Sequence, residues 1–137
     1  MEVVSFEIAK KLKEKGFREK CLTYYDVDDN VGLLYNTQYT DETFPCQYTD
    51  LLISHNAGEG RQLDNSDNCV DAPTISQVLK WLREEKKLFV KICYYEYGYY
   101  YEVIDIATAY VKVVSIEYNS YEHAALAGIE YVLDNLI

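Results

Sequence analysis

The chain has 137 residues, of which 49% are apolar, and a formal net charge of −10 at neutral pH. This length gives room for one hydrophobic core, and the negative charge disfavours generic binding to nucleic acid or an anionic membrane. The first residues, Met1-Glu2-Val3-Val4, include an acid and no basic stretch, and no run of about 18 apolar residues follows, so neither an export signal nor a membrane helix is expected. We therefore expect a single cytoplasmic domain over residues 1–137.

The first predicted element is a helix from Ser5 to Lys15. Ser5 is a residue type that caps helix N-termini by accepting a backbone hydrogen bond. Gly16 follows the helix and is able to adopt the left-handed conformation that ends one, which lets Phe17 pack back on Leu12. The pattern therefore predicts a helix with both ends defined.

A β-hairpin and a long loop are predicted next. Leu22 to Val27 and Val31 to Tyr35 are rich in aromatic and aliphatic residues, and they flank the turn-forming residues 28–30. Phe44 to Ile53 is compatible with one more strand. Ser54 to Asp71 is dense in Gly, Asn, Asp and Ser, which predicts a long acidic surface loop.

Two further helices are predicted in the second half of the chain. Thr74 and Gln77 have the spacing of a capping box, and an apolar stripe with helical periodicity follows them. The last helix is predicted to begin near Asn119 or Ser120, and Gly128 would allow it to approach a sheet closely. Its inner face is predicted to contain Tyr121, Ala125, Gly128, Ile129, Val132 and Leu136.

Three strands are predicted between these helices, at Leu88 to Tyr95, Tyr99 to Ile106 and Tyr110 to Tyr118. The resulting order is α-β-β-(β)-α-β-β-β-α, which is typical of an α+β fold. We expect an antiparallel sheet with three helices packed mainly on one face. An αββ unit used twice is also compatible with the pattern, because Cys21 and Cys93 each precede paired tyrosines.

The residue types that most often perform catalysis show no assembled motif. His55 and His123 are the only two histidines, and neither has a partner at metal-ligand spacing, so both are interpreted as solvated surface residues. Cys21 and Cys93 fall within predicted strands and are expected to be buried, whereas Cys69 is expected to be the most accessible cysteine. The sequence therefore assigns no catalytic residue, no metal and no cofactor.

Tyrosine is unusually abundant, with fifteen copies in the chain. Successive strand residues point to opposite faces of a sheet, so a run of adjacent tyrosines cannot enter one core. Exposed tyrosines are typical of protein-binding surfaces, although tyrosine also suits strands and stabilises hairpins through cross-strand pairs. The candidate binding residues crowd one hairpin: Tyr94, Tyr95, Tyr97, Tyr99, Tyr100 and Tyr101.

A resemblance is carried by residues 8–17 (IAKKLKEKGF), 72–87 (APTISQVLKWLREEKK) and 121–137 (YEHAALAGIEYVLDNLI). These segments resemble a group of small uncharacterised proteins of gut bacteria and their phages or mobile elements. The group has no known activity, so no functional residue is carried over from it. The resemblance implies a phage-related accessory role.

Three functional hypotheses follow from the sequence. The first is a non-enzymatic module that binds a protein partner or itself through the tyrosine-rich hairpin, without direct contact to nucleic acid or membrane. The second is an acidic inhibitor that mimics nucleic acid, because residues 26–72 carry a net charge of −9. The third is a small enzyme whose site brings His55, His123 or Cys69 together with carboxylates in space.

Overall fold

The computed structural model describes residues 2–26, 33–35, 52–58 and 69–137. The described residues form three helices and six strands. The helices are α1 (Phe6–Glu14), α2 (Ile75–Glu85) and α3 (Tyr121–Asn135). The strands are β1 (Thr23–Asp26), β2 (Leu33–Tyr35), β3 (Cys69–Asp71), β4 (Leu88–Tyr95), β5 (Gly98–Asp105) and β6 (Val111–Val114).

The predicted α+β class with antiparallel pairing is confirmed, and the strands are divided between two sheets where the sequence pattern predicted one. The orders are β2-β1-β3 and β4-β5-β6. In the first sheet, both sides of β1 are paired, one with β2 and the other with β3. Strand β3 lies inside the segment that the sequence predicted to be a loop. The αββ repeat stays a prediction.

Two compact units divide the chain. Val3–Pro73 forms the N-terminal unit, and Thr74–Ile137 forms the C-terminal unit together with residues 1–2. Each unit contains one of the two sheets and its own buried apolar residues. The organisation as a single domain stays a prediction.

Helix α1 begins and ends as its sequence predicts. The Ser5 hydroxyl oxygen accepts a hydrogen bond from the Ile8 amide at 3.3 Å. Gly16 has a φ of 91°, and the Phe17 amide donates to the Leu12 carbonyl at 2.9 Å. Phe17 is fully buried, so the residue after the glycine helps to form the core of the N-terminal unit.

The predicted first hairpin is confirmed as an antiparallel pair of β1 and β2, with Thr23 opposite Tyr35. Its turn residues, 28–30, lie outside the described residues. Of the further strand predicted at residues 44–53, Ile53 forms a single antiparallel bridge with Cys21, and residues 44–51 lie outside the described part of the chain.

Helix α2 begins with the predicted capping box. The Thr74 hydroxyl oxygen accepts from the Gln77 amide at 3.1 Å, and the Gln77 side-chain oxygen accepts from the Thr74 amide at 2.9 Å. These reciprocal bonds satisfy two backbone donors that a helix N-terminus would otherwise leave open. The apolar stripe of α2 is buried, including Trp81, which is 6% exposed.

Strands β4 and β5 form a hairpin that pairs along its whole length, from Leu88 opposite Asp105 to Tyr95 opposite Gly98. Strand β6 is shorter than predicted and contains an irregularity opposite Val103 and Ile104. After β6, the Ser115 amide donates to the Tyr101 carbonyl at 2.9 Å, and Tyr118 forms a single bridge with Tyr99.

Helix α3 packs closely against the C-terminal sheet at Gly128, as predicted. A Cβ atom at Gly128 would lie 2.8 Å from Val90 Cγ1 and 3.0 Å from Tyr101 Cγ. The predicted inner face needs correction at both ends, because Tyr121 is 42% exposed and Leu136 is half-buried after the last residue of the helix. The buried residues of α3 are Ala124, Ala125, Gly128, Ile129, Val132 and Leu133.

Candidate interaction surface

The two faces of the C-terminal sheet are distinguished by the alternation of strand side chains. Leu88 and Val90 on β4 and Tyr101 and Val103 on β5 are all buried. Val90 and Tyr101 lie directly beneath Gly128 of α3, so this is the face that the helix covers. We call it the inner face.

The opposite side of this sheet is called the outer face. Phe89 is 36% exposed at one end, Tyr95 is 56% exposed at the other, and Val111 and Val114 on the edge strand are 52% and 57% exposed. The outer face therefore presents aromatic and aliphatic side chains to solvent. Its strand residues are Phe89, Lys91, Cys93, Tyr95, Tyr100, Glu102, Ile104, Val111 and Val114.

Only part of the predicted tyrosine cluster lies on the outer face. Tyr95 and Tyr100 belong to it, and Tyr97 lies in the hairpin turn with 79% of its surface exposed. Tyr101 is 5% exposed and belongs to the core. The expectation that adjacent tyrosines are distributed between two faces is confirmed, whereas binding by these residues stays a prediction.

Tyr94 and Tyr99 are cross-strand partners on the side of the sheet that carries α3. Their ring centroids are 5.1 Å apart, and the Tyr99 ring meets Tyr121 edge-on at 6.2 Å. Tyr94 nevertheless remains 71% exposed, because it lies near the end of the hairpin. These rings stabilise the hairpin through aromatic pairing, as the alternative interpretation of the tyrosine run predicts.

Tyr101 is surrounded by other phenol groups. Its ring stacks with Tyr118 at 6.3 Å and lies at the same centroid distance from Tyr131. Burial raises the pKa of Tyr101, and the neighbouring Tyr118 and Tyr131 phenols raise it further. Tyr101 therefore stays neutral at physiological pH and acts as a core residue.

Cys93 and Tyr100 are register partners in the middle of the outer face. A side-chain hydrogen bond with Cys93 raises the pKa of Tyr100, and the nearby charge of Glu102 contributes in the same direction. Cys93 is half-buried, whereas the sequence predicted a buried thiol. The reason is that its strand has one face covered by a helix and one face open.

The sequence analysis missed the aliphatic part of the outer face. Phe89 and Ile104 are register partners, and Val111 lies opposite Ile104 on the next strand. The signal was present, because Leu88-Phe89-Val90 and Val103-Ile104 are runs of adjacent apolar residues. Such runs place apolar side chains on both faces of a strand and are typical of strands that are covered on both sides. Where a helix covers only one face, the same run leaves the other face apolar and exposed.

A second group of polar residues, of types that are common in functional sites, surrounds the buried carboxylate of Asp71. Its oxygens accept from the Ser54 hydroxyl at 3.3 Å and from the backbone amides of His55 and Asn56 at 3.0 and 2.9 Å. In addition, the Asn56 side-chain oxygen accepts a hydrogen bond from the Asp71 amide at 3.2 Å. This network fixes the turn at residues 54–58 to strand β3.

These contacts correct the predicted surface loop over residues 54–71. Ser54 is 1% exposed and His55 is 7% exposed, so His55 is not the solvated residue that the sequence predicted. The His55 ring packs against Tyr24 at a centroid distance of 4.2 Å. Cys69 is also buried at 3% exposure rather than being accessible, because it belongs to β3. Residues 59–68 lie outside the described part of the chain.

The enzyme hypothesis required His55, His123 or Cys69 to meet carboxylates. His55 does lie beside Asp71, but its backbone amide makes the contact, and the Ser54 hydroxyl donates directly to the carboxylate. His123 is exposed on the first turn of α3, as predicted. The arrangement around Asp71 is therefore that of a buried turn anchor, in which the carboxylate satisfies backbone donors.

Cys21 is a buried thiol, as predicted. Burial raises its pKa far above the ordinary value, and the negative charges of Asp71 and Glu19 raise it further. Its sulfur lies 3.5 Å from the Glu19 carbonyl oxygen, to which the thiol donates. A thiol held in this protonated form packs as a small apolar group, because only the thiolate is a strong nucleophile.

The residues outside these two regions add little chemistry. Within residues 2–26, 33–35, 52–58 and 69–137, no three His, Cys, Asp or Glu side chains are grouped so that they could hold a metal ion. Among the same described residues, no helix combines the length and apolarity needed to cross a membrane. The acidic segment behind the inhibitor hypothesis, residues 26–72, lies mostly outside the described residues, and Asp71 within it is fully buried.

Comparison of the chain with known protein families, with curated proteins and with solved structures gave no match.

Proposed function

We propose that the chain is a non-enzymatic binding module whose contact surface is the outer face of the C-terminal sheet together with the exposed tip of its hairpin. The observation that carries this proposal is the exposure of Phe89, Tyr95, Val111 and Val114 on one side of one sheet. The largest exposed apolar patch of a protein surface is often a functional interaction site. The resemblance noted above supports an accessory role for such a module in a phage or mobile element, within the cytoplasm.

The composition of this surface also supports protein binding. Aromatic residues are enriched at the centres of protein interfaces, and tyrosine contributes contact area together with a hydrogen-bonding hydroxyl. Tyr95 and Tyr97 provide these groups at the hairpin end of the sheet, where they are 56% and 79% exposed. The aliphatic residues of β6 continue the same surface toward its edge.

The test is affinity capture from lysate with the wild-type chain and with a variant carrying Tyr95→Ser, Tyr97→Ser and Val114→Ser. The matched control is Tyr110→Ser, because Tyr110 is 75% exposed and lies outside the outer face. We expect wild type and control to bind one identifiable and saturable protein partner, which is either another protein or a second copy of the chain.

The outer-face variant should lose that partner while its circular dichroism spectrum stays the same as that of wild type. If the variant keeps every interaction of the wild type, including its oligomeric state, the proposal is wrong.

A further inference from the structure

We infer that the occupant of the outer face is a second copy of this chain, packed face to face about a two-fold axis that runs along the strands between β4 and β5. This inference rests on the proposed function, because it names the partner of the same surface. The register of the hairpin and the charges on the outer face support a second copy as the partner, and the size of the sheet limits how tightly it binds.

The register of the hairpin makes the outer face complementary to itself. A two-fold axis between β4 and β5 lays β4 of one copy over β5 of the other, so each residue faces its own register partner on the second copy. The paired outer-face residues are Phe89 with Ile104, Lys91 with Glu102, Cys93 with Tyr100, and Tyr95 with Gly98. The axis therefore places apolar against apolar side chains and the Tyr95 ring over a glycine.

Charge favours this axis over one that runs along β5. Lys91 and Glu102 are the charged strand residues of the outer face, and they carry opposite signs. The axis between β4 and β5 brings Lys91 of each copy to Glu102 of the other. An axis along β5 itself would instead bring the two copies of Glu102 together, which like-charge repulsion disfavours.

The net charge of the whole chain does not prevent this association. The chain carries −10 in total, whereas the strand residues of the outer face sum to zero. At physiological ionic strength the Debye length is about 8 Å, so acidic groups farther apart than this are largely screened. The outer face is thus a neutral region on a strongly acidic protein.

The size of the sheet predicts a weak dimer. Strands β4 and β5 have eight residues each and β6 has four. At about 3.3 Å per residue and about 4.8 Å per strand, these cover roughly 320 Å² in projection. Stable interfaces bury about 800 Å² of accessible surface per partner. Small interfaces belong to weak, transient complexes, so we expect a reversible dimer whose formation depends on protein concentration.

The test is a charge-reversal experiment in which oligomeric state is measured by sedimentation over a wide range of protein concentration. Lys91→Glu and Glu102→Lys are examined separately and as an equimolar mixture. Each variant alone should lose the dimer, because every facing pair across the interface then has like charges. The mixture should recover a dimer, because each substituted residue then faces an opposite charge on the other copy.

This recovery separates contacts between copies from contacts within one chain. In the mixture the register pair within each chain still has like charges, so a purely intramolecular effect would not be rescued. Lys80→Glu is the matched control, since Lys80 is exposed on α2 and the change in charge is the same. The control should dimerise as the wild type does, and circular dichroism should show that all variants fold.

Two outcomes would overturn the inference. One is a wild-type chain that stays monomeric over the whole concentration range, and the other is a mixture that stays monomeric although the wild type dimerises. In the first case the capture experiment still tests the proposed function, because the wild type could bind a different protein that the outer-face variant does not bind. Failure of the inference and failure of the proposed function are therefore distinguishable.

Discussion

Gly128→Ala is expected to destabilise the C-terminal unit even though alanine is the better helix former. Gly128 lies in the interior of α3, where the new methyl group would meet Val90 Cγ1 at 2.8 Å and Tyr101 Cγ at 3.0 Å. Neither neighbour can move easily. Val90 is 2% exposed with a stiff β-branched side chain, and the contact to Tyr101 is made at the root of a buried ring.

Two opposing effects set the magnitude. Replacing glycine by alanine inside a helix contributes about 1 kcal/mol of stability. Inserting a methyl group into a well-packed core costs about 1–3 kcal/mol, because side chains or backbone must shift. The second effect is the larger one here, so we expect the free energy of unfolding to fall by about 1 kcal/mol.

The assay is urea denaturation followed by the fluorescence of Trp81, which is the single tryptophan of the chain and is buried in α2 of the same unit. Ala127→Gly at the neighbouring position measures the helix-propensity effect without the close approach of Gly128. Gly128→Ala is then repeated in a Val90→Ala background, where the Cγ1 atom is absent. In that background we expect the substitution to cost less, because only the tight contact with Tyr101 remains.

The reasoning is refuted if Gly128→Ala alone stabilises the unit by the full amount of the helix-propensity effect. It is also refuted if the cost is the same in the Val90→Ala background. A coupling of 0.5 kcal/mol or more, to order of magnitude, is expected between the two positions, because residues in direct contact are not additive.

Four further substitutions, at three positions, test the described contacts by chemical denaturation. Tyr25→Phe removes a 2.7 Å bond from the phenol to the Val4 carbonyl and should lower the free energy of unfolding by about 0.5–1.5 kcal/mol. Burial raises the pKa of Tyr25, so its neutral phenol stabilises the fold below about pH 10, and this stability is lost as the pH rises further. The free energy of unfolding of the variant should therefore fall less than that of the wild type above this pH. Asp71→Ala removes the acceptor of two buried hydrogen bonds and one part-buried hydrogen bond and should cost about 3 kcal/mol or more, and Asp71→Asn should cost less. Gly98→Ala forces a side chain at a φ of 154° against the Tyr118 carbonyl and should cost about 1–3 kcal/mol.

Each of these expectations has a clear contrary result. Tyr25→Phe would contradict the structure if it stabilised the protein at neutral pH or left the alkaline loss unchanged. An Asp71→Ala variant as stable as wild type would mean that the carboxylate is solvated. A Gly98→Ala variant with wild-type stability would mean that the hairpin does not approach Tyr118 closely.

The elements that sequence reasoning predicted well are those whose signals are local. The Ser5 cap, the Gly16 terminus and the Thr74–Gln77 capping box each depend on residues within three or four positions of one another. The hairpin of β4 and β5 is local in the same sense, since its strands are joined by a two-residue turn at residues 96–97. Each of these features can be derived from short-range sterics and hydrogen bonding.

The segment around Asp71 could not be predicted in this way. Its polar side chains suggest a solvated loop, and only the fold shows that the donors for the carboxylate come from residues 54–56, at least 15 positions away. A buried polar residue and an exposed one have the same sequence signature until the partner is known. The strand β3 and the burial of Cys69 were missed for this reason.

The outer face shows a second limit of structure prediction from the sequence pattern. Alternation determines which residues of a strand share a face, but it does not determine which face a helix will cover. Leu88 and Phe89 are both apolar, yet Leu88 is 6% exposed and Phe89 is 36% exposed, because the helices that pack against β4 cover one face only. The adjacent apolar residues could therefore be predicted to occupy two faces, whereas the exposure of one face required the structure.

The positions of the tyrosines determine how the binding proposal must be tested. Replacing the whole run from Tyr94 to Tyr101 would remove Tyr101 from a core that it shares with Tyr118 and Tyr131. Loss of binding in such a variant would reflect lost packing, since truncating a buried aromatic residue costs about 3–5 kcal/mol. Substitutions limited to Tyr95 and Tyr97 leave that core intact, because both side chains are exposed. Only the limited substitutions can therefore distinguish an interaction surface from a hairpin whose tyrosines serve stability alone.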